Sequence, residues 1–171
     1  MTYYSFYKSP IGRFLLTSDG ENLTGLHFNK PSFETVIQLQ WQEKNNLLAF
    51  QETKAQLSKY FKGTLTSFDL PMLTKGTEFQ RKVWDELKKI PYGLTISYKG
   101  LASRIGNPDA SRAVGLANNR NPIPIIIPCH RVIGTNGKLV GYGGGIDRKK
   151  WLLGLEETTM NGGSLKNGSK I

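Results

Sequence analysis

A chain of 171 residues with 38% hydrophobic content can fill the core of one ordinary domain or two small ones, so a folded, globular protein is expected. Its 23 lysines and arginines against 13 acids leave a net charge of +10, the footprint of a protein that meets phosphate backbones, although a merely soluble basic surface carries the same sign. One cysteine and two histidines exclude an intramolecular disulfide and a cysteine-rich zinc site, and no apolar run reaches the roughly 18 residues of a membrane span.

The opening MTYYSFYKSPIG lacks the charged start and apolar middle of a secretory leader, which points to cytoplasmic residence. Short β-rich runs, broken by Ser9-Pro10-Ile11-Gly12 and by Ser18-Asp19-Gly20-Glu21-Asn22, predict a three-stranded antiparallel meander. A helical region follows, with Ser32 as its candidate N-cap and a stripe of Leu47, Leu48, Phe50, Leu57, Tyr60 and Phe61 that ends at Gly63. Phe68, Leu70 and Met72 alternate as a short strand, and residues 1–72 read as a small α/β domain.

Thr77 caps a new helix in TEFQRKVWDELKKIPYG, whose Phe79, Val83, Trp84 and Leu87 share a face before Pro91 and Gly93 stop it. Two shorter helices follow, around Tyr98–Ile105 and Ala110–Asn119. The Gly106-Asn107-Pro108-Asp109 link between them has helix-turn-helix length, with Asp109 the expected cap of the second. Gly141 to Gly145 form a flexible loop before a helix over Asp147–Glu156. Residues 73–157 thus read as a second, mostly helical domain, and the Gly/Ser/Asn-rich residues 158–171 as a disordered tail.

Two strings carry chemistry. In DASRAVGLANNR, Ala110, Ala113, Gly115 and Ala117 leave little side-chain bulk, with Arg112 the long group; such a helix either fits tightly against a neighbour or approaches DNA closely. In NPIPIIIPCHRV, Cys129 follows a run of isoleucines, where a lone cysteine is more often an inert core residue. The adjacent His130 shifts that reading, because cysteine reacts as thiolate and a histidine backed by an acid takes the proton and lowers the thiol pKa; Glu156 is the candidate acid. Neighbours on an extended chain point to opposite faces, so the link between Cys129 and His130 would run through a water.

PCHRV, preceded by Asn121-Pro122 and by a helix-turn-helix carrying Ser-Arg-Ala-Val-Gly, and followed by Gly141-Tyr142-Gly143-Gly144-Gly145, closely resembles the O6-alkylguanine-DNA alkyltransferase family, over residues 77–157. The resemblance implies an α+β fold: a small ribonuclease H-like α/β domain, matched here by layout only, then a helical domain with a winged-helix-like helix-turn-helix. It implies one irreversible transfer of an alkyl group from O6-alkylguanine, and from O4-alkylthymine, in double-stranded DNA to Cys129. The protein would act as a monomer after minor-groove binding and base flipping, with no metal or organic cofactor.

By the same resemblance His130 is the base held by Glu156, and Asn121 ties together the turns around the site. Tyr98 reaches the guanine N3 and crowds the 3′ phosphate. The carbonyls of Cys129 and Val132 accept from the exocyclic amine, Tyr142 walls the pocket, and the Gly143 amide faces O6. Arg112 fills the gap left by the flipped base, with Ala110, Ser111, Ala113 and Gly115 beside it on the DNA-binding helix. Gly143 stands where some relatives have serine, so a hydroxyl is lost there. Two other classes compete: a cysteine hydrolase, for which no oxyanion-hole signature is visible, and a non-catalytic alkyltransferase-like binder, which would lack the cysteine.

Overall fold

The computed structural model describes residues 1–29 and 37–166, so the expected Ser32 cap lies outside the described residues. The chain divides into two compact units, Met1–Lys75 and Gly76–Ile171.

In the first unit β1 (Tyr3–Ser9), β2 (Gly12–Ser18) and β3 (Leu23–Phe28) form the expected antiparallel meander, and a two-residue strand, β4 (Gln42–Glu43), adds to the free side of β1 in parallel, giving the order β3-β2-β1-β4. Ser9 pairs with Gly12 across the two-residue Pro10-Ile11 link, which sets the register of the first hairpin. Phe14 to Ser18 are all buried, as an inner strand with both faces covered requires. Helix α1 (Leu48–Phe61) lies against this sheet and buries Phe50, Leu57 and Tyr60, while Phe61 joins Tyr7 and Phe14 in an aromatic cluster. The expected strand at Phe68–Met72 is not a strand. Only a single bridge forms, with the Leu23 amide donating to the Pro71 carbonyl and the Leu73 amide to the Leu23 carbonyl, because Pro71 has no N–H with which to extend a ladder.

The second unit begins with α2 (Glu78–Leu87), where Thr77 and Gln80 form a reciprocal capping box and Val83, Trp84 and Leu87 are buried. The helix-turn-helix is α3 (Tyr98–Arg104) and α4 (Ser111–Asn119), joined through Gly106 at φ +83°. Asp109 is not the cap of α4. The capping position is Ala110, with no side-chain bond, because the Ala110 amide turns back to the Asn107 carbonyl and so closes the link with backbone alone. Trp84 Nε1 donates to the Ala117 carbonyl at 2.9 Å and fastens α2 to α4.

Two short strands position the site. β5 (Ile96–Ser97), directly before α3, pairs in parallel with β6 (Val132–Ile133), which follows a single 3-10 turn over Cys129–Arg131. The pairing brings the start of α3 beside the end of PCHRV. The last helix, α5 (Ile146–Lys166), runs past Glu156, so residues 158–166 are helix rather than the start of a disordered tail, and residues 167–171 lie outside the described residues. Tertiary contact explains the extension: the Met160 side chain covers Gly93. Among the described residues no helix is long and apolar enough to cross a membrane.

Candidate active site

The centre of the site is a buried carboxylate. Glu156 is 1% exposed, and its Oε2 meets His130 Nε2 at 2.5 Å while its Oε1 accepts from Arg131 Nε at 2.8 Å and from the Gly93 amide at 3.1 Å. Arg131 Nη2 adds a bond to Oε2 at 3.2 Å, and its Nη1 donates to the Ile90 carbonyl at 2.7 Å. Gly93 turns its amide toward the carboxylate at φ +81°, a conformation glycine adopts freely. Burial alone would raise the Glu156 pKa, but the His130 hydrogen bond, then the hydrogen bonds and charge of Arg131, bring it down to about 2.

His130 is fully buried, and burial holds its pKa below the ordinary imidazole value despite the Glu156 bond. A neutral imidazole bonded to an ionised carboxylate carries its proton on Nε2, which leaves the Nδ1 lone pair as the basic position. Among the described residues Nδ1 makes no hydrogen bond with another protein atom. Cys129 is 4% exposed, and burial pushes its thiol up to about 11, opposed by a hydrogen bond from Asn121 and by the charge of Lys149. The resting sulfur is therefore a protonated thiol and not the low-pKa thiolate expected from its neighbours. Desolvation outweighs them because neither His130, which is neutral, nor Glu156 supplies positive charge.

Asn121 ties the turn before the cysteine: its Nδ2 donates to the Ile127 carbonyl at 2.7 Å and its Oδ1 accepts from the Ile123 amide at 3.0 Å. Between them Ile125 is held at φ +75°, a costly backbone state for a β-branched residue.

Tyr98, the first residue of α3, donates its hydroxyl to the carbonyls of Val140 and Gly141, at 2.9 and 3.3 Å, and so lies against the glycine-rich loop. In that loop Tyr142 is buried, and burial holds its phenol well above the ordinary value, whereas Gly143 is exposed beside the Asn119 carbonyl. The Val132 carbonyl accepts from Lys149 Nζ at 2.5 Å, and the Cys129 carbonyl from Asn118 Nδ2 at 3.4 Å.

Helix α4 has two unlike sides. Val114, Ala117 and Asn118 are buried, and Gly115 lies beside the Tyr98 ring at a distance where a Cβ would make ordinary contact, 3.7 Å. On the open side Arg112 and Ala113 are exposed, with Ala110 and Ser111 at the helix start, and an open depression of about 740 Å³ runs over Ala110, Arg112, Ala113 and Gly115. The packing reading therefore holds for Ala117, while Ala113 faces the open side. Asn118, on the inner side, connects this helix to the cysteine carbonyl.

Lys149 escaped sequence reasoning, because it sits in the charged run Asp147-Arg148-Lys149-Lys150 and reads as solvated. Its position three before Leu152 and seven before Glu156 was the available clue, since these spacings share one helical face. Lys149 is fully buried, donates to the Val132 and Val140 carbonyls, the latter at 2.8 Å, and is driven by burial down to about 8.

Known proteins resemble this chain along nearly its whole length. The family model described as 6-O-methylguanine DNA methyltransferase, ribonuclease-like domain, matches residues 2–74, and that described as 6-O-methylguanine DNA methyltransferase, DNA binding domain, matches residues 78–158. The methylated-DNA–protein-cysteine methyltransferase of Methanosarcina acetivorans is 53% identical over 154 residues, which cover 90% of this chain and 97% of that protein. A Mycobacterium tuberculosis protein of the same name is 49% identical, covering 92% and 94%. The crystal structure of M. tuberculosis OGT in complex with DNA has a TM-score of 0.84 and 48% identity, covering 92% of this chain and 94% of that one.

Replacing Lys149 by methionine removes both carbonyl bonds and releases Val140 from Val132. Hydrogen bonds to a charged donor contribute on the order of 2 kcal/mol each, so amides 141–145 should exchange with solvent roughly tenfold faster or more in Lys149→Met. Unchanged protection of that segment in hydrogen-exchange mass spectrometry would show that Lys149 does not pin the loop.

Proposed function

The chain belongs to the 6-O-methylguanine DNA methyltransferase family, and we propose that it repairs DNA by taking the alkyl group of O6-alkylguanine onto the sulfur of its own Cys129. Its activity is that of a methylated-DNA–protein-cysteine methyltransferase. The observation that carries the assignment to this sulfur is the chain's single cysteine, set beside a histidine whose outer nitrogen is fixed on a buried carboxylate.

The reaction is a displacement at the alkyl carbon: the Cys129 sulfur forms a bond to it as the bond to guanine O6 breaks. The thiol proton must leave the sulfur, and His130 Nδ1 is the base of suitable protonation state, acting through a water. Glu156 keeps the proton on Nε2, and Asn121 holds the turn. On the leaving side the purine oxygen takes up negative charge unless it is protonated, and the Tyr98 hydroxyl donating to N3, with the Gly143 amide at O6, stabilises it. Carbonyls of Cys129 and Val132 accept from the exocyclic amine, and the neutral Tyr142 phenol walls the pocket. The thioether product has no easy route back to a thiol, so each molecule acts once.

Helix α4 is the element assigned to the minor groove, with Arg112 filling the space of the extruded base and Ala110, Ser111, Ala113 and Gly115 allowing a close approach. The second unit carries 15 of the basic residues against 7 acids, which is +8 of the total +10, so the charge stands where this reading needs it. A monomer suffices, since Cys129, His130, Asn121 and Glu156 come from one chain, and a free reactive thiol suits the reducing cytoplasm. O4-alkylthymine presents a similar alkylated oxygen and is the secondary substrate.

Three outcomes test this reading. Incubation with duplex DNA containing O6-methylguanine should raise the intact mass by about 14 Da at Cys129, once, whereas Cys129→Ser should bind the DNA and gain nothing; repeated turnover or a label elsewhere would sink the assignment.

His130→Ala and Glu156→Gln should slow single-turnover transfer by about 10- to 1000-fold with nearly unchanged DNA affinity. Because the His130 pKa is lowered, its base form persists through neutral pH, and the wild-type rate should fall only as pH drops below about 6.5. An acid limb centred above that value contradicts a neutral His130.

Arg112→Ala should slow repair of duplex DNA far more than reaction with free O6-benzylguanine, which has no stack to leave. Equal loss on both substrates would mean that Arg112 supports the pocket or the fold.

A further inference from the structure

Leu116 is an unexpected residue on the open side of α4. It is 58% exposed and lies on the depression shared by Arg112, Ala113 and Asn119. The exposed positions Arg112, Leu116 and Arg120 recur every fourth residue, which places them on one stripe about 6 and 12 Å along the axis. The stripe is cationic at both ends and apolar at its middle, with Ala113 and Asn119 too short to screen the leucine from an approaching surface. Its inner counterparts Val114 and Ala117 already fill the core contact, so Leu116 is not needed to hold the helix down.

A DNA minor groove has phosphate walls and a floor of sugar edges and base edges, and proteins that enter it often place an apolar side chain against a base step. We propose that Leu116 is an apolar wedge that enters the minor groove one helical turn behind Arg112 and bears on the base step beside the extruded nucleotide. Arg120 meets a charged wall while the leucine meets the apolar interior, and Arg112 fills a gap that Leu116 has helped to open. This inference rests on the reading of α4 as the DNA-entering helix, and it adds a residue that the likeness to known family members leaves unassigned.

The test uses the full chain. In a Cys129→Ser background, a duplex carrying 2-aminopurine next to O6-methylguanine should brighten on binding, and adding Leu116→Ala should remove most of that increase. With Cys129 intact, Leu116→Ala should slow methyl transfer from the duplex by roughly 5- to 20-fold and from a single-stranded oligonucleotide by less than twofold, with the duplex rate restored by Leu116→Met. The salt dependence of duplex affinity should keep its wild-type slope, since no ionic contact is removed. Equal loss on single strand and duplex, or an unchanged duplex rate and fluorescence, overturns the wedge. A wild-type protein that brightens 2-aminopurine yet leaves Cys129 unmodified would instead overturn the alkyl-transfer reading and leave the wedge standing.

Discussion

The ionised, buried carboxylate of Glu156 is the constraint on which the rest of the C-terminal unit depends. It joins three separate pieces of chain: α5, the Cys129–Arg131 turn and the Pro91–Gly93 turn after α2. A charge taken out of water costs several kcal/mol unless it is fully paired, and here Arg131 supplies the compensating charge while the Gly93 amide supplies a further donor. That division of labour determines the state of His130. With Arg131 balancing the carboxylate, the imidazole has no need to be a cation and keeps a free lone pair; with Arg131 absent, the proton would settle on His130 and abolish the base.

A second buried cation is handled differently. Among the described residues Lys149 makes no ion pair; it satisfies its charge with the Val132 and Val140 carbonyls, and burial leaves it easier to deprotonate than an ordinary lysine. One helical face thus carries both Lys149, which holds the glycine-rich loop to the strand after the cysteine, and Glu156, which orients the base. Any change in how α5 is seated would move both supports together. The contact of Met160 with Gly93 continues that seating beyond Glu156, at the very turn that donates to the carboxylate.

Periodicity and turn residues made most of the fold legible: the meander, the Thr77 cap and the α3–α4 pair follow from local rules. Apart from the Asp109 cap, what failed was non-local. Phe68–Met72 alternates correctly but has a proline where a ladder needs a donor, and the tail composition suggested disorder where tertiary contacts extend a helix. In the site, PCHRV marked Cys129 and His130, and the spacing of Asn121 and Tyr142 matched a family pattern. Arg131 and Asn118 were invisible because their importance lies in which carbonyl or carboxylate they meet across the unit, Lys149 showed only through its helical spacing, and Ile125 was hidden because backbone strain leaves no trace in composition.

The raised thiol pKa makes physical sense for a protein consumed by its own reaction. A thiolate at rest would be oxidised or alkylated by any passing electrophile, and each such event would remove a molecule irreversibly. Burial keeps the sulfur protonated and screened, so reactivity must be created by the substrate's arrival. The Tyr98 hydroxyl is held on the Val140 and Gly141 carbonyls in this state and would have to leave them to donate to a purine. In the proposed reaction the base therefore exchanges places with a backbone contact of the loop that Lys149 anchors, which couples filling of the pocket to the donors that stabilise the leaving group. Proton transfer to a neutral His130 then needs no prior charge on the sulfur, and selectivity comes from when the thiolate forms and not from how much of it is present beforehand.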